Sequence, residues 1–393
     1  MRALCIDVGT GTQDILLFDA DREVENAFRM VLPSPTILVA DRVRQATMSG
    51  RSIVLAGSTM GGGPSAWAIR DHALTGLPVA ATAAAARTLD DDLDGVRGLG
   101  VRIVDDDEAA DLATAPGTLA LHLRDIALDD LADALGPYDI DLRAIDALAV
   151  AVFDHGAAPP GISDRRFRFE RLADRLREAP DAGPAAFAYP EDRIPAPFTR
   201  LQAAATDARA WLGEQAATAI VAMDTGPAAV LGGLEDPAPR AALRRGREVV
   251  AVNVGNFHTL AVRLAPAPAA VSGCRIASIY EHHTGEIDDV GLQRDVARVA
   301  DGTIDGEAVF ASMGHGALIV AQPAHSRLGA LVSVTGPQRA RLVGRKVQAA
   351  GLAVAAVPHG DMMQAGPFGL LRALAVVHER WREPIERRLG TIS

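Results

Sequence analysis

The chain contains one strand-and-turn pattern twice, and this repetition limits the folds that it can adopt. Residues 4–10 (Leu-Cys-Ile-Asp-Val-Gly-Thr) and residues 250–256 (Val-Ala-Val-Asn-Val-Gly-Asn) share an apolar strand, a polar residue and a glycine two positions later. A second apolar strand follows each glycine turn, which predicts a β-hairpin in both places. Because the two hairpins lie in different halves of a chain of 393 residues, we expect two structurally related half-molecules.

Strand and helix patterns alternate along the rest of the chain. Apolar runs at residues 2–8, 14–19 and 24–32 predict an antiparallel meander. Shorter apolar runs follow, separated by helical patterns such as those at residues 65–74 and 201–213. This alternation is typical of proteins built from α/β layers, and we therefore predict an α/β fold.

The composition divides the chain into two domains and a terminal helix. We place the first domain at residues 1–234 and the second at residues 241–365, separated by a linker with two prolines. Residues 366–393 are expected to form a C-terminal helix that packs back toward the first domain. Residues 155–200 are rich in proline and arginine, which indicates an excursion or lid on the first domain rather than a domain of its own.

The numbers of lysine and cysteine residues exclude several kinds of site. The one lysine, Lys346, does not follow the glycine pattern of a phosphate-binding loop. Cys5 and Cys274 are the only cysteines, so one chain cannot ligate an iron–sulfur cluster or a thiolate zinc site. A net charge of −11 argues against nucleic acids and anionic membranes as partners. Asp7 and Asp14 interrupt the apolar start of the chain, so we expect no signal peptide and a cytoplasmic protein.

The first hairpin has the residues of a phosphate-binding turn. Asp7 ends a buried strand, from which a carboxylate can hold Mg²⁺ through water. The glycines that follow allow backbone N–H groups to approach an anion, and the threonine hydroxyls can donate to it. An ordinary hairpin turn can carry the same residues. The candidate phosphate-binding residues of this turn are Gly9, Thr10, Gly11 and Thr12.

The second hairpin and a later turn extend this candidate site. Asn253, Gly255 and Asn256 lie in the second hairpin, and two facing hairpins can hold a polyphosphate between them. Thr335 and Gly336 end an apolar strand before a helix, and a strand-to-helix turn of this kind can seat adenine and ribose. Together these turns predict a nucleotide site.

Asp224 and a glycine loop are further candidates. Asp224 lies between a strand at residues 219–223 and a helix at residues 227–234, where it can act as a base, cap the helix, or do both. The loop before the helix at residues 65–74 is either an anion site or a tight turn that requires glycine. Its residues are Gly61, Gly62 and Gly63.

The order of these parts resembles that of the actin, sugar-kinase and heat-shock-chaperone ATPase superfamily. The resemblance implies two actin-like (ribonuclease H-like) domains around a cleft that holds ATP and Mg²⁺. It implies that Asp7 holds Mg²⁺ through water, that Asp224 is the base toward a substrate hydroxyl, and that Gly336 lines the adenosine pocket. Asn253 departs from the pattern, because the superfamily has an acidic residue there and an amide is neither a base nor a strong Mg²⁺ ligand.

Two functions from different classes follow from this resemblance. The first is an ATP-dependent kinase or ATP hydrolase that acts on a small-molecule substrate. The second, favoured by Asn253, is a non-catalytic, nucleotide-responsive regulator or assembly factor that acts on a protein partner. A homodimer is compatible with either function.

Four strings resemble a narrower prokaryotic family that is labelled as pyruvate formate-lyase-activating enzymes. They are residues 56–64, 281–285, 314–317 and 359–363. Such activators are radical S-adenosylmethionine enzymes that use three closely spaced cysteines. The two distant cysteines of this chain cannot supply them, so we predict that it is not a radical activator.

Histidines and acids in glycine-rich turns of the second domain form one more candidate site. Imidazole and carboxylate together suit a transition metal or an anionic substrate. The alternative is that each histidine hydrogen-bonds the backbone of its own loop. The candidate residues are Glu281, His282, His283, His315, His359 and Asp361.

Overall fold

A computed structural model describes residues 1–213, 217–323 and 329–391. Its strands are β1 (Arg2–Val8), β2 (Thr12–Asp19), β3 (Phe28–Pro33), β4 (Ser52–Gly57), β5 (Val79–Thr82), β6 (Val101–Val104), β7 (Thr118–Leu123), β8 (Ala147–Val152), β9 (Ala188–Pro190), β10 (Ala219–Asp224), β11 (Val249–Val254), β12 (His258–Pro266), β13 (Cys274–His283), β14 (Gly316–Ile319), β15 (Leu331–Thr335), β16 (Lys346–Val347), β17 (Gly351–Leu352) and β18 (Val354–Ala355).

Helices connect the strands and cover the sheets. They are α1 (Pro35–Met48), α2 (Pro64–Leu74), α3 (Ala83–Ala86), α4 (Leu93–Gly98), α5 (Asp106–Ala113), α6 (Leu128–Leu135), α7 (Asp164–Glu178), α8 (Thr199–Leu212), α9 (Thr225–Gly233), α10 (Pro237–Arg244), α11 (Asp289–Asp301), α12 (Gly306–Ala311), α13 (Ala365–Val377) and α14 (Arg382–Leu389). No helix in the described ranges is long and apolar enough to cross a membrane.

The first main sheet has the strand order β3-β2-β1-β8-β10-β9. Strands β1, β2 and β3 form an antiparallel meander, and β8 and β10 continue the sheet in parallel with β1. The sequence predicts this meander correctly. It places the start of β3 too early, because residues 24–26 form a short 3-10 turn before the strand begins at Phe28.

The second main sheet repeats this arrangement. Its order is β14-β13-β12-β11-β15-β18, in which β11, β12 and β13 form the antiparallel meander and β15 and β18 continue in parallel with β11. In both sheets, therefore, the first strand of the meander pairs with the next parallel strand. This order is that of ribonuclease H-like domains, so the predicted fold of two actin-like domains is confirmed.

A third sheet lies between β3 and β8 in the sequence. Its four strands have the order β6-β5-β4-β7, are all parallel, and have their own apolar core with α1 and α2. The sequence analysis includes these strands in the first domain without separating them. Apolar runs predict that strands exist, but they do not show which sheet each strand joins.

Helix α7 belongs to the interior and not to a peripheral lid. Its side chains Phe169, Leu172 and Leu176 join one core cluster with residues from both main sheets. Phe169 packs so closely on Gly316 that a Cβ there would lie 2.8 Å from the ring. The excursion predicted at residues 155–200 therefore connects the two halves of the molecule.

Glycines let α9 and α13 pack closely between the two main sheets. A Cβ on Gly232 would overlap the carbonyl oxygen of Ala365, and one on Gly369 would overlap that of Ala228. Helix α13 also contacts β1, β8 and β10 of the first sheet. The expected linker at residues 235–240 already contains the start of α10, because Asp236 caps this helix and Pro237 begins it.

Candidate functional site

A cavity of about 1240 Å³ lies between the two main sheets. Its walls include the turn after β1, the turn after β11, the loop before α2 and the chain that follows β8. Residues from both halves of the molecule therefore face one space, as the superfamily resemblance predicts.

The two hairpin turns have the same internal geometry. The N–H of Gly9 donates to the carbonyl of Thr12 at 2.8 Å, and the N–H of Gly255 donates to the carbonyl of His258 at 3.0 Å. Within the described chain, the two amides inside each turn have no hydrogen-bond acceptor. These four donors are the backbone N–H groups of Thr10, Gly11, Asn256 and Phe257.

The two turns approach each other at the edge of the cavity. A Cβ on Gly11 would lie 2.7 Å from Nδ2 of Asn256, so the side chain of Asn256 packs directly on the first turn. Gly63, at the start of α2, lies beside both turns, since its Cβ would be 3.6 Å from Thr10 and 4.0 Å from Phe257. The two hairpin turns and the start of α2 thus lie together at the cavity wall, and the free backbone donors of the two turns suit an anion.

Two carboxylates lie side by side on the cavity wall. Asp7 and Asp14 are directly paired across β1 and β2, and their exposed fractions are 7% and 9%. Thr225 donates its hydroxyl to Asp7 at 2.6 Å, whereas Oδ1 of Asp14 has no hydrogen-bond partner among the described residues. Burial raises the pKa of Asp7 to about 7, and burial together with the charge of Asp7 raises the pKa of Asp14 to about 8.

This carboxylate pair fits a hard divalent cation such as Mg²⁺, which prefers oxygen ligands. Sequence reasoning found Asp7 and missed Asp14 as a site residue. The signal was available, because a hairpin centred between Thr10 and Gly11 pairs residue 7 with residue 14. On the other side of Asp7, Gly366 approaches so closely that a Cβ would overlap the carboxylate.

The structure ties Asp224 to an arginine that sequence reasoning missed. Asp224 caps α9 through the N–H of Gly226 at 3.2 Å, as its helix-capping interpretation requires. Both of its carboxylate oxygens also accept from Arg168, at 2.6 and 3.1 Å. Asp224 does not line the cavity. Its role as a base therefore stays a prediction, and in this conformation its oxygens are engaged.

Arg168 binds one carboxylate from each main sheet. Besides Asp224 at the end of β10, it holds Glu281 of β13 through Nε at 2.8 Å and Nη2 at 2.7 Å, and its guanidinium lies 3.7 Å from the ring centre of Phe153. Although burial lowers the pKa of Arg168, Asp224 and Glu281 raise it above its usual value. A charged residue between the buried Phe167 and Phe169 of α7 was the signal that could have revealed it.

Histidines from three neighbouring strands of the second sheet meet beside this ion-pair network. His258 and His283 are paired across β12 and β13, and His315 directly precedes β14. The ring centres of the three lie 4.6–5.2 Å apart. His155 stacks on His315 at 5.9 Å. Sequence reasoning found two of these four and missed His155 and His258.

Burial favours the neutral, unprotonated form of these four imidazoles. Burial, with a contribution from Arg168, lowers the pKa of His315 to about 2 and the pKa of His155 well below its usual value. Burial and neighbouring histidines also hold the pKa of His258 well below its usual value, and burial lowers that of His283. At neutral pH the ring nitrogens can therefore accept.

The structure separates the other predicted histidine-site residues from this group. Both ring nitrogens of His282 bond backbone oxygens, those of His283 and Ser312, at 2.9 Å, as the alternative interpretation expects. Nε2 of His359 lies 3.5 Å from Oε2 of Glu235. Asp361 caps a short 3-10 turn, and its charge contributes to the raised pKa of Asp14. The six residues therefore do not form one site, because His359 and Asp361 follow β18 at the carboxylate end of the cavity.

The remaining predicted residues lie along the cavity wall. The N–H of Gly61 is already engaged by Asp125 at 3.0 Å, and Gly63 has a φ of +59°, so the tight-turn interpretation applies to both. Asn253 and Thr335 are paired across β11 and β15, with Oγ1 of Thr335 3.5 Å from Oδ1 of Asn253. Gly336 lines the cavity with a φ of +96°.

A model of one protein family matches residues 60–341, and its description is "Putative pyruvate format-lyase activating enzyme (DUF1786)". The chain belongs to this family. The DUF1786 match covers α7 with Arg168 and all three clustered histidines, while Asp7 and Asp14 lie outside it. The buried thiols Cys5 and Cys274, whose pKa values are raised by burial, do not suit the cluster chemistry of a radical activator.

Two solved structures have low similarity to this chain. The chain is similar to inorganic polyphosphate/ATP-glucomannokinase from Arthrobacter sp. strain KM, with a TM-score of 0.30 and 12% identity over 95% of this chain and 98% of that chain. It is similar to an exopolyphosphatase-like protein, with a TM-score of 0.31 and 10% identity over 100% of this chain and 92% of that chain. The strand order of the two sheets, and not these similarities, identifies the fold. Among curated proteins, none matches the sequence.

Proposed function

We propose that this protein binds ATP with Mg²⁺ in the cavity and transfers or hydrolyses the terminal phosphate. One observation carries the proposal. Two hairpin turns of equal geometry, one from each ribonuclease H-like domain, line the cavity, and each has two backbone N–H groups without an acceptor among the described residues. Such donors bind phosphate oxygens without a lysine, which suits a chain whose one lysine lies elsewhere.

Asp7 and Asp14 are the residues that would hold Mg²⁺. Both line the cavity, and one Asp14 oxygen has no protein partner among the described residues. When bound, Mg²⁺ neutralises the charge that develops on transferring phosphate oxygens. The chain's own contribution is to keep two carboxylates in place and to donate backbone N–H groups and threonine hydroxyls. The acceptor would be a small molecule or a protein, because a net charge of −11 does not favour nucleic acid.

A second candidate function is a nucleotide-responsive regulator that does not turn over ATP. Two observations favour it. Arg168 engages both carboxylate oxygens of Asp224, and Asn253 stands where the superfamily has an acid. In that case the nucleotide would bind in the same cavity, and the protein would act through a partner.

Calorimetric titration with ATP and Mg²⁺ tests the binding site. We expect Asp7→Asn and Asp14→Asn to weaken Mg²⁺-dependent ATP binding at least about tenfold, or about 1.4 kcal/mol, because each removes a charged oxygen ligand. Asp111→Asn, an exposed aspartate of α5, is the matched control and should bind as the wild type does. Absence of binding by the wild type, or equal binding by all four proteins, would contradict the proposal. Phosphate release in the same preparations separates the enzyme from the regulator.

A further inference from the structure

We propose that His258, His283 and His315 bind a divalent transition-metal ion at the wall of the cavity. Each of the three offers one ring nitrogen, and these nitrogen atoms all lie within 4.8 Å of one another. The site is separate from the carboxylate pair Asp7 and Asp14, and it does not depend on the proposed binding of ATP.

The three histidines are held by adjacent strands of one sheet. His258 begins β12, His283 ends β13 opposite it, and the backbone N–H of His315 donates to the carbonyl of Glu281 in β13 at 2.9 Å. Ligands that project from paired strands keep their relative positions better than ligands on loops. The backbone positions of the three ligands are therefore already in place, and only their side chains must rotate to bind a metal ion.

Ring nitrogens without hydrogen bonds are concentrated at this place. Both ring nitrogens of His315 and Nε2 of His258 are buried and have no partner among the described residues, and His315 is only 2% exposed. The neighbouring His282 provides the contrast, because each of its ring nitrogens lies 2.9 Å from a backbone carbonyl oxygen. Buried polar atoms without partners are rare in native proteins, and a metal ion bound between the three rings would satisfy ring nitrogens of His258 and His315.

The donor set selects the class of metal. Three imidazole nitrogens suit Zn²⁺, Fe²⁺, Co²⁺ or Ni²⁺, whereas Mg²⁺ and Ca²⁺ prefer oxygen. Metal–nitrogen bonds of about 2.0–2.1 Å in a tetrahedral site place the nitrogens about 3.3 Å apart, so the rings must move together by small rotations. Three protein ligands leave a coordination position open, as in catalytic zinc sites. His258 and His283 both line the cavity, so this position faces the space available to a substrate.

Glu281 is placed to become the outer partner of His315 when the rings move onto a metal ion. Its Oε2 lies 3.9 Å from Nδ1 of His315, and Arg168 fixes its orientation through two hydrogen bonds. A carboxylate beside one ring nitrogen orients the imidazole and leaves the other nitrogen for the metal. Glu281 is therefore a positioning residue and not a ligand.

Titration of chelator-treated protein with Co²⁺ tests the site without any assay of activity. We expect the wild type to bind a single equivalent and to develop the visible absorption of Co²⁺ in a tetrahedral nitrogen environment. His283→Ala and His315→Ala should each weaken binding by more than about 100-fold, since loss of an outer partner alone costs about 10–100-fold. His122→Ala, an exposed histidine of β7, is the matched control and should bind Co²⁺ as the wild type does.

Two results would overturn the proposal. One is a wild type that develops no such absorption, and the other is a His283→Ala variant that binds Co²⁺ as tightly as the wild type does. His283 is only partly buried, so its alanine variant keeps the test informative if the variant at the buried His315 does not fold. Circular dichroism of each variant establishes that it is folded before titration.

Discussion

At the scale of single residues, Arg168 holds two carboxylates together in the interior. It is fully buried and forms ion pairs with Asp224 and Glu281, which are themselves buried and come from different sheets. A buried carboxylate that loses its partner keeps its desolvation penalty. The stability of the native state therefore depends on this one side chain.

We predict that Arg168→Gln lowers the free energy of unfolding by about 3–5 kcal/mol, because it leaves two buried carboxylates without their partner. Arg166→Gln, two residues away on the same helix, breaks an exposed ion pair with Glu307 and a contact with the ring of Phe310, and should cost much less stability. Urea denaturation of both variants measures the difference. Equal effects of the two substitutions would show that the Arg168 network is not required for stability.

The raised pKa values of Asp7 and Asp14 predict how stability depends on pH. Their native pKa values of about 7 and about 8 exceed the ordinary value of 3.8, so the native state binds more protons than the unfolded state between about pH 4 and pH 8. In metal-free protein the free energy of unfolding should therefore fall as pH rises through this range, by at most about 1.4 kcal/mol per pH unit for each carboxyl.

Asp14→Asn tests this dependence, because an amide does not titrate. The variant should lose less stability than the wild type between about pH 5 and pH 8, and saturating Mg²⁺ should reduce the loss in the wild type. Urea denaturation across this range is the measurement. A wild type whose stability rises with pH, or a variant with an unchanged pH dependence, would contradict the raised pKa values.

At the scale of elements, helices α9 and α13 approach so closely that their backbones touch. Gly232 and Gly369 occupy the closest points, where a Cβ would overlap a carbonyl oxygen of the opposite helix. We predict that Gly232→Ala or Gly369→Ala destabilises the protein by about 1–3 kcal/mol, because the helices must separate. Gly98→Ala in α4, where the added methyl group would meet open space, should be neutral or stabilising.

Thermal unfolding of these three variants gives the measurement. If Gly232→Ala is as stable as Gly98→Ala, the two helices are not in the close contact described above.

Local patterns explain why some elements were predictable and others were not. The apolar runs and glycine turns of β1, β2 and β11 specify their own conformation, so the sequence predicts them within a few residues. The third sheet was not separated, because β4 has the same apolar character whether it joins the first sheet or its own. The start of α10 was missed since Pro237 was interpreted as part of a linker, although proline is favoured at the first position of a helix.

At the scale of the whole molecule, two sheets with the same five-stranded core line one cavity, and helix α7 packs into a core shared by both sheets. The repeat of the hairpin pattern was enough to predict this duplication. The histidine group was only partly predictable, because its members are brought together by pairing of β12 with β13 and β13 with β14. His258 has the sequence context of a turn residue, and the burial of Arg168 is indicated only by the phenylalanines on either side of it.

The turn between β11 and β12 contributes to both places that the cavity offers to ligands. Asn256 meets the first hairpin from one side of this turn, and two residues later His258 meets the other histidines. A substitution that displaces the turn should therefore alter both places together. The two places are also thermodynamically linked through this turn. If a ligand at one place changes the affinity for a ligand at the other, the second ligand changes the affinity for the first by the same factor.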